Sequence, residues 1–272
     1  MPFLSPTDRR KKLLETPLMF SRLIVAGFPI DKLLSAKALI VGAGGLGVIV
    51  SEILARTGLG ELHIVDRDVV KEENFNRLGY NRADIGKPKA MILAERLLRL
   101  RNNPSIPKKY HISVYHYHND IIGWEKLEDI ISSIDIIFSC TDNELARREI
   151  NFLAMKYKKP MIDGATSIDG LRGTIITVIP CRTPCFECYY GSQTSIKVNH
   201  FERIGQCDAS IATTMSIVAA LQADQGLKVL LNYGKIHSMV KVDLRESVSI
   251  VTIDNVKPRD NCPIHRRFCD EF

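Results

Sequence analysis

The chain has 272 residues, a formal net charge of +6, and 45% hydrophobic residues, enough for a buried core in one large domain. No stretch approaches the roughly 18–20 uninterrupted apolar residues of a membrane span. The cations are spread out, with no basic stripe interleaved with aromatics, which argues against a nucleic-acid partner.

Residues 1–34 read as a basic, helical arm whose Asp8-Arg9-Arg10-Lys11-Lys12 run lacks the apolar core of a signal peptide. A cytoplasmic protein is expected, in which seven cysteines serve metal and thiol chemistry rather than disulfides. Ala38 to Val41 predicts a strand, Gly42-Ala43-Gly44-Gly45-Leu46-Gly47 a tight turn, and Val48 to Ala55 a helix whose N-terminal N–H groups suit a phosphate. Leu62 to Val65 predicts a second strand ending in Asp66, nineteen residues past Gly47, where a nucleotide-binding βαβ unit carries its ribose acid.

These two features alone also fit an NAD-dependent oxidoreductase. Arg77 and Lys89 then follow Asn74, and hydride transfer has no use for two cations there. Cleavage of ATP between its α- and β-phosphates does, because charge builds on the departing pyrophosphate. Further on, Ala90 to Leu100 predicts an amphipathic helix, Ser113 to His118 and Asp135 to Ser139 strands, and Leu145 to Tyr157 a helix. Pro160 to Asp163 begins a strand, and Thr174 to Ile179 alternates as a sheet with one covered face. Residues 189–206 read as a polar, mobile loop, Ala209 to Leu231 as a long helix, and the tail as strands to Asn261.

From Phe20 to Cys262 the ordered motifs resemble the ubiquitin-activating-enzyme-like adenylyltransferases, the superfamily of ThiF, MoeB and HesA. They comprise Phe20-Ser21-Arg22, the glycine loop, Asp66-Arg67-Asp68, Glu73 to Arg77, Lys89, Cys140-Thr141-Asp142-Asn143, Pro184 to Cys188, and Asn261-Cys262-Pro263. Ile204 to Ser210 and Asn232-Tyr233-Gly234 are most similar to the compact activating enzyme of the ubiquitin-fold modifier. The expected fold is α/β, a Rossmann-like doubly wound, mostly parallel sheet with helices on both faces and a zinc-knuckle lobe. A single adenylation domain over 1–272 is expected, with an arm (1–34), a nucleotide-binding half (35–180) and a zinc and thiol/carrier-binding half (181–272).

The resemblance implies that Gly42, Gly44, Gly45 and Gly47 cradle the α-phosphate and that Asp66 accepts from the ribose. It further implies that Asn74, Arg77 and Lys89 hold the triphosphate, and that Asp142, beside Asn143, holds Mg²⁺. Asn119 would touch the adenine, and Arg22 would reach the opposite subunit of a homodimer. Asn143 as an Asx-turn residue, Asp68 as a turn cap and Arg147 as a solvated helix face are the plain structural alternatives.

Cys185 and Cys188 form a C-x-x-C knuckle, and with Cys262 they suit a tetrahedral structural Zn²⁺. Cys269 is expected as fourth ligand on ligand type, with His265, three past Cys262, the alternative. Cys140 and Cys181 lie beside apolar strands, where core packing is expected. Cys207 ends the polar loop at a predicted helix start, a place that lowers a thiol's pKa, although neighbouring Asp208 opposes this. Spacing leaves it either a nucleophile or a buried cap, and the resemblance implies the nucleophile.

The implied activity uses ATP to adenylate the C-terminus of a ubiquitin-like carrier ending in Gly-Gly. Thioester formation on Cys207 and transfer to a conjugating enzyme would follow. A sulfur-carrier adenylyltransferase of the ThiF or MoeB kind, forming no lasting thioester, is the alternative; an NAD-dependent oxidoreductase is the second.

Overall fold

The structure is a computed structural model that describes residues 3–191 and 211–269. Three helices, α1 (Pro6–Glu15), α2 (Ser21–Val25) and α3 (Ile30–Leu34), precede β1 (Lys37–Val41). Alternation follows through α4 (Gly45–Thr57), β2 (Glu61–Val65), α5 (Lys89–Arg101), β3 (Ser113–Tyr117), α6 (Lys126–Ser133), β4 (Ile136–Ser139), α7 (Glu144–Lys156) and β5 (Met161–Thr166). The chain continues as β6 (Arg172–Val178), α8 (Phe186–Tyr190), α9 (Ala212–Leu231), β7 (Met239–Asp243), β8 (Ser249–Ile253) and α10 (Pro263–Phe268). Most expected elements are present within three residues of their expected ends, but the tail's strands stop at Ile253 rather than running to Asn261, and the helix α10 follows. The polar loop, however, begins with a short helix, α8, and its remainder from residue 192 lies outside the described residues.

The eight strands among the described residues form one sheet in the order β3-β2-β1-β4-β5-β6-β7-β8. The four pairings from β3 to β5 are parallel and the three from β5 to β8 are antiparallel. Alternate side chains divide the core in two. Ala38, Ile40, Leu62, Ile64, Ile136 and Phe138 pack with α4, α5 and α9 on one face. Leu39, Val41, Val65, Ile137 and Met161 pack with α6 and α7 on the other. Because β1 and β4 are covered on both faces, they read as continuous apolar runs rather than as alternation. No helix among the described residues is long and apolar enough to cross a membrane.

The glycine turn is held by close approach. A Cβ on Gly47 would stand 1.8 Å from the Gly42 carbonyl oxygen, so glycine lets the first turn of α4 lie against the end of β1. At its other end α4 stops at Gly58 in the left-handed region (φ 112°), whose N–H bonds back to the helix. The buried Arg101 guanidinium donates to the carbonyls of Ala55 (2.6 Å), Leu59 (3.3 Å) and Tyr110. It also lies 4.9 Å from the centroid of the Phe20 ring, fastening the arm to the sheet.

Candidate functional site

After β2 and β3 have been added on one side of β1, the chain crosses to the other side and continues with β4. Loops leaving the carboxyl ends of β1 and β4 therefore diverge, opening a crevice at this reversal. A cleft of about 730 Å³ lies there. It brings together Gly42, Gly44, Gly45, Asp66, Asn74, Arg77, Lys89, Asn119, Asp142 and Asn143, which the sequence scatters over a hundred residues. Gly47 packs beneath the turn and is not among the lining residues, and Arg22 stands exposed on α2 away from the cleft.

The Asp66 carboxylate accepts from the backbone N–H of Ala43 at 2.6 Å and of Asp68 at 2.7 Å, which ties the second strand to the glycine turn. Burial pushes its pKa up, against the lowering effect of those N–H groups and of Lys89. Lys89 Nζ is paired with Asp68 at 2.8 Å, so Asp68 does more than cap a turn. Burial acts to raise the Asp68 carboxyl, but the hydrogen bond and charge of Lys89 outweigh it and hold the pKa low. Asn74 is buried, and its side-chain oxygen accepts from the Lys71 N–H at 2.9 Å, closing the turn that presents Arg77. Asn143 caps α7 by accepting from the Ala146 N–H at 3.2 Å. Its neighbour Asp142 is exposed to the cleft and accepts no hydrogen bond among the described residues. One such carboxylate beside a polyphosphate is the donor set a Mg²⁺ needs, since phosphates and water supply the other ligands.

Arg147 differs from the expected solvated helix face. Its Nε and Nη2 both donate to the Thr141 carbonyl, at 2.8 and 2.6 Å, and its Nη1 lies 3.5 Å from Asp163. Asp163 is 1% exposed and accepts from Ser139 Oγ at 2.6 Å. Burial raises its pKa, against Arg147 and the Ser139 hydroxyl. Tyr80, also unforeseen, does not line the cleft but supports the glycine turn: its hydroxyl donates to the Ala43 carbonyl at 2.6 Å, and burial raises its pKa. A cation or carboxylate that acts only through a partner distant in sequence leaves no local motif, so the sequence did not single out these roles.

The cysteine cluster lies on the α7 side of the sheet. Cys185 Sγ is 3.8 Å from Cys188 Sγ and 3.6 Å from Cys262 Sγ, and the His265 imidazole joins Cys185 and Cys188 within 4.8 Å. Thiolates on a tetrahedral Zn²⁺ at about 2.3 Å lie roughly 3.8 Å apart, so the two Cys185 spacings fit such an ion, while Cys262 falls outside the set of donors that all lie within 4.8 Å of one another. The expected fourth ligand requires correction. Cys269 is bonded to Cys181 in a disulfide spanning 88 residues, and this leaves His265 beside the thiols. Cys181 accordingly does not serve as the plain core residue expected, and one pair of cysteines departs from the expected reduced state. Cys140 is buried, and burial pushes its thiol up to about 12. Cys207 lies outside the described residues.

Residues 15–264 match the family described as the ThiF family. The chain belongs to the ThiF family. It is similar to ubiquitin-like modifier-activating enzyme 5 of Dictyostelium discoideum, 29% identical over 89% of this chain and 66% of that protein. It is also similar to the enzyme of the same name from Gallus gallus, 31% identical over 76% and 53%. The chain thus spans about half to two thirds of the length of these relatives. Solved structures of E. coli MccB share the fold; one described as MccB with ATP has a TM-score of 0.74 at 23% identity, covering 94% of this chain and 79% of that one. In this ThiF-family chain the nucleotide-facing residues anticipated from the motifs, apart from Gly47 and Arg22, converge on one cleft.

Proposed function

We propose that this chain uses ATP and Mg²⁺ to activate the C-terminal carboxylate of a ubiquitin-like protein. The observation that carries the reading is the convergence of the glycine turn, Asp66, Arg77, Lys89 and Asp142 on one cleft. Similarity to the ubiquitin-like modifier-activating enzymes supports the choice of carrier. Gly42, Gly44 and Gly45 receive the α-phosphate, Asp66 and Asn119 face the nucleoside, and Arg77 and Lys89 take the β- and γ-phosphates. Lys89 leaves Asp68 for the phosphates, and Asp142 holds Mg²⁺, which neutralises phosphate charge when bound.

The carrier's flexible tail, ending in Gly-Gly, brings its carboxylate in line with the α-phosphorus. The new O–P bond forms as the bond to the β-phosphate oxygen breaks, and pyrophosphate leaves with its charge met by Arg77 and Lys89. A carboxylate needs no general base. The Cys207 thiolate then attacks the anhydride carbonyl, AMP departs, and the thioester passes to a conjugating enzyme. Arg22 of a second copy completes the triphosphate site in a cytoplasmic homodimer of single-domain chains. Cys185, Cys188, Cys262 and His265 hold a structural Zn²⁺ that ties α10 to the knuckle.

Carrier-dependent exchange of labelled pyrophosphate into ATP tests the first half. An enzyme that ignores ATP and instead binds a nicotinamide would support the oxidoreductase and refute this reading. A reducible carrier–enzyme adduct that Cys207→Ala removes while exchange persists supports conjugation; exchange with no such adduct indicates the sulfur-carrier alternative.

A further inference from the structure

The four residues between β4 and α7 contain the one acid assigned to Mg²⁺, and their backbone is fastened on both sides of it. Behind Asp142, the Thr141 carbonyl receives two N–H groups of Arg147. Ahead of it, the Asn143 N–H donates to Thr141 Oγ1 at 3.2 Å, and the Asn143 side chain caps α7. Beneath, the loop lies against the glycine turn: a Cβ on Gly42 would stand 2.7 Å from the Cys140 carbonyl oxygen. Asp142 itself projects into the cleft, while every neighbouring polar group of the loop named here is engaged.

Arg147 is in turn braced. Its partner Asp163 lies on β5 directly across from Ser139 on β4, and the Ser139 hydroxyl fixes the carboxylate. Burying an ion pair of this kind costs several kcal/mol, and apolar residues of like volume would often serve folding equally well. The pair therefore needs a reason beyond stability. Its geometry supplies one, since a planar guanidinium pinned by a carboxylate presents a rigid fork to the Thr141 carbonyl, with Nη2 also reaching the Gly164 carbonyl at 3.5 Å.

We propose that Arg147, braced by Asp163, is a positioning residue that clamps the Thr141 carbonyl and thereby aims the Asp142 carboxylate at the Mg²⁺ of bound nucleotide. The inference rests on the reading of Asp142 as the acid that holds Mg²⁺. It predicts that losing the clamp weakens Mg²⁺-assisted binding and slows chemistry without weakening metal-free nucleotide binding.

The test uses the full chain, a non-hydrolysable ATP analogue titrated with and without Mg²⁺, and pyrophosphate exchange. For Arg147→Met, the Mg²⁺ concentration at half-maximal analogue binding should rise on the order of 10-fold. The maximal exchange rate should fall on the order of 100-fold, with metal-free binding unchanged. Arg147→Lys should rescue little, because an ammonium cannot reproduce the fork. Combining Arg147→Met with Asp142→Asn should cost no more than Asp142→Asn alone, since both act through one carboxylate.

Should Arg147→Met not fold, Asp163→Asn offers a second route: it keeps an acceptor for Ser139, removes the charge that braces Arg147, and should shift the Mg²⁺ dependence in the same direction. An unaltered Mg²⁺ requirement in these variants, or losses that multiply with Asp142→Asn, overturns the clamp. Analogue binding by the wild type that is indifferent to Mg²⁺ would instead overturn the assignment of Asp142, a distinguishable failure.

Discussion

Replacing Gly47 by alanine should damage the fold, whereas the same change at Gly44 should damage only nucleotide binding. A Cβ at position 47 would lie 1.8 Å from the Gly42 carbonyl oxygen and 2.9 Å from its carbon. A comfortable carbon–oxygen contact is about 3.3 Å, so α4 must retreat from β1 by roughly 1.5 Å or the turn must open. Overpacking of this kind costs about 1–3 kcal/mol, while the gain in helix propensity returns up to about 1 kcal/mol. A net loss of about 1–2 kcal/mol lowers the melting temperature by about 2–4 °C in a chain of this size. The displaced turn should also lose ATP affinity.

Gly44 has nothing within 4 Å of its would-be Cβ and an ordinary φ of −81°. Alanine there should cost under about 1 kcal/mol as a poorer cap, yet its methyl enters the space left for phosphate. Thermal denaturation followed by ATP titration of both variants reads the two effects separately. Equal destabilisation by the two substitutions, or wild-type melting of Gly47→Ala, would refute the close-approach argument.

The metal and disulfide assignments separate by elemental analysis. His265→Ala and Cys185→Ser should abolish bound zinc, whereas Cys269→Ser should retain about one equivalent; zinc loss on Cys269→Ser would restore the sulfur as ligand. For Asp163, the folded state holds the carboxyl proton more tightly than the unfolded chain does. Its contribution is therefore greatest below the ordinary value of about 3.9 and declines as pH rises toward the folded pKa. The unfolding free energy of wild type minus that of Asp163→Asn should fall through that window in urea titrations. A difference that rises with pH would contradict the direction. Arg101→Met should cost about 3 kcal/mol by stranding the carbonyls of Ala55, Leu59 and Tyr110. Unchanged stability would show that these carbonyls find other partners.

Local pattern made much of this protein legible. The run Ala38 to Val41, the glycine spacing through Gly47 and Asp66 at the end of β2 are properties of short segments, and each constrains backbone or charge where it stands. The alternating faces of the strands and the chain order of α and β elements follow from the same local periodicity. Only the folded chain decided which distant groups meet. Arg147 reads as a surface residue until β5 brings Asp163 to it, and Asp68 reads as a turn residue until Lys89 arrives from α5. Cys269 looked like a metal ligand until its sulfur met Cys181 across 88 residues, with His265 taking the place beside the thiols. Hydrogen bonds, ion pairs and sulfur bonds act over a few ångströms, and sequence separation says nothing about which side chains the crossing of strands will bring that close.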